Sequence, residues 1–341
     1  MLFSFAAEAW LKSKTAHLSP RSVIIERANL KHLAPAFGKL LLCDVTADTI
    51  GAYQARRLKE KASPKTINLE VGTVRAILRK HRMWAAIQPD VRVLPTREDI
   101  GRALSPAEET ALLQACGESR SRSLLPAVTL ALSPAMRASE IRLLRWNQID
   151  LARRTVIVGK SKSAAGTGRQ LPLNDRAAKV LEFWACLFPD RQPEHYIFSS
   201  EKYGGTGEEE TFGFRGSVPY DTDPEKPIGH WKEVWEAARI RAGVILYGEP
   251  KEGEKAKPLA CRFHDLRHTA CTRMLEAGVP FSVVSTIMGW SAATTARMVK
   301  RYGHIGQAGQ RETMRALNSG NFPGVVTKVG TISEPKTERV S

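Results

Sequence analysis

The stretch Cys261-Arg262-Phe263-His264-Asp265-Leu266-Arg267-His268-Thr269-Ala270 sets the reading of the whole chain. His264 and Arg267 are three residues apart, so on a helix they share a face about one turn from each other. One can exchange a proton or donate a hydrogen bond while the other presents a planar cationic fork. Such a pair suits a phosphate whose negative charge grows during displacement. Taken alone it is equally a surface pair. The interleaved Cys261, His264, His268 and Cys271 also raise a metal site. On one helix, however, the two cysteines stand roughly 15 Å apart at 1.5 Å per residue, too far for one tetrahedral ion. No metal and no cofactor are expected.

Two further segments place the same chemistry on either side. Upstream, Leu132-Ser-Pro-Ala-Met-Arg137-Ala-Ser-Glu140-Ile-Arg-Leu-Leu-Arg-Trp146 sets Arg137 after a proline-containing turn in an apolar context. An unpaired guanidinium is costly there, and Glu140, three residues on, can orient it. An ordinary structural ion pair reads the same way. Downstream, Met288-Gly-Trp290 leads through Thr294-Thr295 to Tyr302, which stands among Arg297, Lys300, Arg301 and His304. A phenol with a reference pKa of about 10 needs cations or a proton acceptor nearby to become a nucleophile. Without such neighbours, a tyrosine here would be a helix cap.

The bulk composition points in the same direction. The 341 residues carry 51 Lys+Arg against 35 Asp+Glu, a formal charge of +16. Residues 1–97 hold 17 basic and 7 acidic side chains, a net +10. An excess of this size implies a polyanionic partner, most often nucleic acid. Five widely spaced cysteines (Cys43, Cys116, Cys186, Cys261, Cys271) argue against a disulfide framework and for a reducing compartment. Neither a secretory signal nor an apolar run of membrane-spanning length is visible, so a cytoplasmic protein without a membrane partner is expected.

Along the chain, residues 1–90 read as helices. Leu30, Leu33, Ala34 and Phe37 recur at helical spacing before Gly38, a second helix starts near Asp48, and Ile67, Val71, Val74 and Leu78 mark a third face. The basic residues between these faces (Arg56, Arg57, Lys59, Lys61, Lys65, Arg75, Arg79, Lys80) suit a DNA-gripping bundle, or equally a solvated surface. Residues 91–101 read as a linker. Ser105-Pro106 with Glu108 forms a capping-box pattern that opens the second domain. Thr155–Val158 and Gln170–Leu173 flank a polar tip and predict a β-hairpin. Residues 200–230 and 248–259 read as loops, and 319–341 as a tail.

Together these segments resemble the tyrosine recombinase (phage integrase) family over nearly the whole chain. Arg137-x-x-Glu140-Ile followed by Leu144-x-Trp146 matches the first arginine box of that family. His264-Asp-Leu-Arg267-His-Thr matches the second, and Gly289-Trp290 ahead of Tyr302 matches its Gly-His/Trp position and nucleophile. The hairpin from Val158-Gly-Lys160-Ser-Lys162-Ser to Arg169-Gln-Leu-Pro-Leu173 resembles the strand pair carrying the catalytic lysine.

The resemblance implies a mainly α fold with a small antiparallel β-sheet. It would comprise an N-terminal helical core-binding bundle (1–90), a linker (91–101) and an α+β catalytic domain (102–318). It implies attack of Tyr302 on a scissile phosphate of double-stranded DNA, giving a 3′-phosphotyrosyl bond and a free 5′-hydroxyl. Arg137 and Arg267 would clamp the phosphate, and His264 would assist proton removal from Tyr302. Trp290 would donate a hydrogen bond, and Lys162, with Lys160 as the alternative, would protonate the leaving oxygen. A homotetramer on paired DNA sites, with accessory DNA-bending proteins, is a further family implication. The rival activities are DNA relaxation by a type IB topoisomerase mechanism and non-enzymatic DNA binding.

Two departures stand out. Ser133-Pro-Ala-Met136 replaces the usual Thr-Gly-Leu or Thr-Gly-Met, so the turn before Arg137 is expected to differ. Trp290 lies twelve residues before Tyr302, about three more than the family spacing, so a longer final helix or lead-in is expected.

Overall fold

The computed structural model describes residues 1–96, 101–161, 163–201 and 221–302, and only the backbone of Arg301. The chain divides into two compact units, Met1–Ile100 and Gly101–Ser341.

The first unit is built from α1 (Phe3–Thr15), α2 (Pro20–Phe37), α3 (Ala47–Lys59), α4 (Pro64–Lys80) and the short α5 (Trp84–Ile87). Serine and threonine start three of them: Ser19, Thr46 and Ser63 each accept the N3 backbone N–H, which satisfies a donor that a helix leaves open at its first turn. Phe3, Trp10, Leu33, Phe37, Ile50, Ile67, Val74 and Ile77 form the core.

One of the basic residues belongs to that core and not to a charged face. Arg57 is buried, and its Nε and Nη2 donate to Glu70 at 3.0 and 2.7 Å while Nη1 reaches Glu60 at 2.6 Å. Tyr53 Oη donates to the same Glu70 at 2.7 Å. Burial and the hydrogen bond to the carboxylate both push the Tyr53 phenol above its ordinary pKa. Arg57 is thus a fully engaged structural cation. The expected linker is also partly held: Gln54 donates to the Arg92 carbonyl at 2.9 Å, and Asn68 exchanges hydrogen bonds with Leu94 at 2.8 and 3.0 Å. Residues 97–100 lie outside the described residues.

In the second unit, α6 (Pro106–Gly117) opens on the expected capping box: Ser105 Oγ accepts from Glu108 N at 3.2 Å and Glu108 Oε2 from Ser105 N at 2.9 Å. Then follow α7 (Leu124–Leu132), α8 (Ala138–Arg142) and a three-stranded antiparallel sheet of β1 (Ile149–Asp150), β2 (Thr155–Ile157) and β3 (Gln170–Pro172) in the order β1-β2-β3. The β2–β3 register pairs Val156 with Leu171, and both side chains are buried. After α9 (Asp175–Cys186), β4 (Ser199–Glu201) pairs antiparallel with β5 (Thr222–Pro227), so part of the stretch expected as loop is a strand. The chain closes with α10 (Lys232–Tyr247), α11 (Phe263–Glu276), α12 (Phe281–Met288) and α13 (Ala292–Tyr302).

The core of this unit delivers α11. Aromatic rings run in contact from Trp184 to Phe198, Trp231 and Phe263, with centroids 6.0, 5.6 and 5.9 Å apart. Phe263 is the first residue of α11, so this column anchors the helix directly ahead of His264. α7, apolar on nearly all sides, packs against both α9 and α11, which suits its position in the middle of a core. No helix among the described residues is long and apolar enough to cross a membrane.

Candidate active site

Arg137 stands at the N-terminus of α8, immediately after a turn in which Ala135 takes a left-handed backbone (φ 56°). This conformation costs an L-residue roughly 1–2 kcal/mol, which is why glycine is the usual occupant. Ala135 therefore holds the turn at a cost in backbone strain. The turn aims the Ala135 carbonyl inward, where it accepts from Arg267 Nη1. Arg267 Nη2 donates to the carbonyl of Met288. Arg137 Nη2 lies 3.4 Å from the Met288 and Gly289 carbonyls, so the two guanidinium groups converge on the exit of α12.

That exit is shaped for the purpose. Gly289 adopts φ 55°, and a Cβ there would lie 2.8 Å from Gly166 Cα. No larger residue fits without moving the hairpin loop. The last carbonyls of a helix lack intrahelical partners and carry its negative dipole end, so the end of α12 offers anion-like acceptors to the arginines.

Arg267 is 3% exposed. Among the described residues no carboxylate makes an ion pair with it. Burial, then the like charge of Arg137, pull its pKa down to about 9, with Glu140 attracting it from a distance. A guanidinium held this way favours an anion as partner. Arg137 has such a partner already: its Nη1 donates to Glu140 Oε1 at 2.7 Å and its backbone N–H to Oε2 at 2.9 Å.

Glu140 is the hub of the site. It also accepts from Ser161 Oγ at 2.6 Å and from Arg169 at 3.1 and 2.7 Å. Burial works to raise its pKa, but the hydrogen bonds from Arg169, Ser161 and the Arg137 backbone outweigh it and bring it to about 2. A folded-state pKa below the ordinary value of 4.5 means stability that is present above about pH 4.5 and lost as pH falls toward 2. The shift corresponds to about 3 kcal/mol at 1.36 kcal/mol per pKa unit. Denaturant unfolding between pH 5 and 2 is expected to show this loss, with a clearly shallower slope for Glu140→Gln. An unchanged slope in the variant would remove Glu140 as its source.

Tyr302 ends α13 and is 6% exposed. Its ring sits in a small apolar cluster with Ala135, Ala270, Cys271, Val284 and Met288, and lies nearly parallel to Trp290, with centroids 6.4 Å apart at 18°. Trp290 packs on Phe281 at 5.8 Å. The extra residues between Trp290 and Tyr302 are taken up by the helix itself, because α13 begins at Ala292 and runs unbroken to the tyrosine.

The hydroxyl of Tyr302 hydrogen-bonds His268 Nδ1. The resemblance gave His264 the role of assisting proton removal from Tyr302, whereas the ring in contact with the hydroxyl in the structure is that of His268. His264 lies one turn earlier, at the exposed rim, with its ring edge-on to His268 at 5.2 Å. Desolvation, then the Arg267 charge, lower the pKa of His264. Gly101 packs closely against the His268 ring, where an added Cβ would lie 2.2 Å away. The signal for His268 was present in the sequence, since His264 and His268 are four apart and share a helix face.

Arg137, His264, Arg267, Trp290 and Tyr302 are therefore brought into one region around the end of α12. Lys160 is exposed in the bend after β2, and Lys162 lies outside the described residues. Glu140, Ser161, Arg169 and His268 complete the region; of these, the sequence reading assigned Glu140 the role of orienting Arg137 and raised His268 only as a metal ligand.

Residues 102–308 match the phage integrase family. Over 256 residues the chain is 29% identical to the integrase of Salmonella phage P22, covering 72% of this chain and 55% of that protein. It is 23% identical over 317 residues to a shufflon-specific DNA recombinase of Escherichia coli, covering 89% of this chain and 69% of that one. The chain thus spans about half the length of the phage P22 relative. The fold is similar to that of the Tn1549 transposon integrase in complex with transposon right end DNA, with a TM-score of 0.65 and 19% identity over 92% of this chain and 99% of that one. It is also similar to a lambda integrase dimer bound to a COC′ core site, with a TM-score of 0.60 and 16% identity over 87% and 95% of the two chains. With its two arginine boxes and terminal tyrosine gathered at one helix end, the chain belongs to the phage integrase family, that of the tyrosine recombinases.

Proposed function

We propose that the protein is a site-specific DNA recombinase that cleaves and rejoins strands through a 3′-phosphotyrosyl intermediate on Tyr302. The observation that carries this reading is the pairing of two guanidinium groups on the Met288 carbonyl, one of them buried without a carboxylate partner among the described residues, beside a tyrosine held on an imidazole.

In the proposed reaction a DNA phosphate takes the place that the α12 carbonyls fill here. Arg137 and Arg267 hold its non-bridging oxygens as their charge rises. The Tyr302 oxygen forms the new bond to phosphorus, and its proton passes to His268, the imidazole it already contacts. The 5′-oxygen leaves with a proton from Lys162 or Lys160. His264 donates to the phosphate from the rim, and Trp290 packs the tyrosine. Attack by a 5′-hydroxyl of a partner strand reverses the step. The phosphodiester energy is conserved in the tyrosyl ester, so no nucleotide cofactor is consumed.

The partner is double-stranded DNA. Residues 1–90 form the core-binding part, with Lys59, Arg75, Arg79 and Lys80 as backbone contacts, and 102–318 the catalytic part. A homotetramer on paired sites, accessory DNA-bending proteins and action in the cytoplasm complete the proposal.

The test is capture on nicked duplexes whose sequences come from the junctions flanking the gene. Cleavage beside the nick releases a short strand and traps the enzyme. The wild-type protein is expected to give an SDS-stable adduct that blocks a 3′-exonuclease and exposes a 5′-hydroxyl that a kinase can label. An adduct on the 5′ end would refute the assignment. Relaxation of supercoiled plasmid lacking these junctions, at the rate of junction cleavage, would favour the topoisomerase reading.

A further inference from the structure

Arg169, at the foot of the hairpin just before β3, takes no part in the proposed chemistry, yet it is one of the few charged side chains buried in the second unit. Its Nη1 and Nη2 hold both oxygens of Glu140 at 3.1 and 2.7 Å. Its Nε donates to the Ile287 carbonyl at 3.0 Å and its Nη1 to the Gly166 carbonyl at 2.6 Å. The side chain is 5% exposed and that of Glu140 is 0% exposed. One guanidinium therefore ties together α8, the hairpin loop and the end of α12.

The consequence for Arg137 is electrostatic. Arg137 and Glu140 alone are a neutral pair, and a carboxylate without a second cation would draw Arg137 into a two-pronged contact. With Arg169 present, Glu140 is shared between two guanidinium groups. Arg137 then touches one carboxylate oxygen through Nη1, its Nη2 turns to the Met288 and Gly289 carbonyls, and the trio keeps a net positive charge. Ser161 Oγ, 3.1 Å from Arg137 Nη1, fixes the same oxygen of Glu140 from the hairpin side.

We infer that Arg169 is a positioning residue for strand cleavage: by occupying Glu140 and bracing Ile287, it keeps the charge and the outer edge of Arg137 directed at the scissile phosphate. This rests on the recombinase reading above. Arg169 touches no substrate and acts only through Glu140 and the α12 end.

The distinguishing experiment uses the full chain on a nicked duplex that the wild type captures, with single-turnover rates for Arg169→Gln, Arg169→Lys and the double variant Arg169→Gln with Glu140→Gln. Arg169→Gln is expected to slow capture by about 10²-fold, the scale of one lost oxyanion contact. Arg169→Lys, which keeps the charge, should stay within about tenfold of wild type. The double variant should be faster than Arg169→Gln alone, because removing the Glu140 charge releases Arg137. A residue needed only for packing would make the double variant slower than either single one. Such additive loss, or an Arg169→Gln rate within about threefold of wild type, overturns the inference. Should Arg169→Gln fail to fold, an Arg169→Lys variant that melts with the wild type but is as slow as an Arg137→Gln variant overturns it as well. If the wild type forms no adduct on any junction duplex, the recombinase reading fails, and this inference falls with it.

Discussion

Tyr302→Phe is expected to abolish covalent capture of DNA while leaving the folded protein and its non-covalent DNA binding in place. The expectation follows from what the side chain does in the structure. The ring fills an apolar cluster against Cys271, Val284 and Met288 and stacks beside Trp290, and phenylalanine keeps all of that. Only the hydroxyl is lost, with its hydrogen bonds to His268 and to the Cys271 thiol. Hydrogen bonds of this kind contribute about 1 kcal/mol each to stability, too little to unfold a domain. Denaturation midpoint, gel-shift affinity and SDS-stable adduct should therefore separate: the first two close to wild type, the third gone. An adduct that survives in the variant would redirect the assignment to another hydroxyl, and Tyr247, exposed at the end of α10, is the next tyrosine to test.

Arg267→Gln should be nearly as damaging by a different route. Arg267 brings a buried charge and two donors to the region where the phosphate would sit, and nothing else among the described residues replaces that charge. Removal of one preorganised donor from a developing oxyanion typically costs about 10²–10³-fold in rate, so loss of the fork together with its charge should reach at least that range. The Ala135 and Met288 carbonyls also lose their donor, so melting temperature has to be read beside the rate. A substrate with one non-bridging oxygen replaced by methyl separates the two effects. That phosphonate is neutral and has less need of a cation, so the deficit of the variant should shrink by about tenfold or more relative to the ordinary phosphodiester. A deficit equal on both substrates would mean that Arg267 serves the fold and not the phosphate.

Most of the helical framework was open to reading because its signals are local. Ser105 with Glu108 marks a helix start within a few residues, and the structure uses it as a capping box. The β2–β3 hairpin was visible in the β-branched run at Thr155–Ile157. What stayed hidden depended on distant partners. β5 reads Thr-Asp-Pro-Glu-Lys-Pro, a composition poor in strand formers, and becomes a strand by pairing with Ser199–Glu201. Arg57 looked like one cation among many, because Glu70, which buries it, lies thirteen residues away on another helix. The left-handed turn at Ala135 could not be inferred from an alanine, since the strain is sustained by the surrounding core.

The candidate site divides in the same way. His264, Arg267, Arg137 and Tyr302 carry recognisable spacing, and a shared location around one phosphate was implied by resemblance. Their partnerships were not. Which of two histidines meets Tyr302 depends on the approach of α13 to α11, and the linking of Glu140 to Arg169 depends on the hairpin folding back over α8. These are long-range contacts, and no spacing rule within one helix encodes them.

The central claim is a covalent bond between Tyr302 and DNA, and peptide mapping of the captured adduct tests it most directly. Trypsin cleavage after Arg301 releases a peptide beginning at Tyr302 and ending at Arg311. Mass spectrometry of nuclease-trimmed adduct is predicted to find this peptide with a nucleotide 3′-phosphate on the tyrosine oxygen. The same modification on any other peptide, or a 5′-phosphate linkage on this one, would contradict the account.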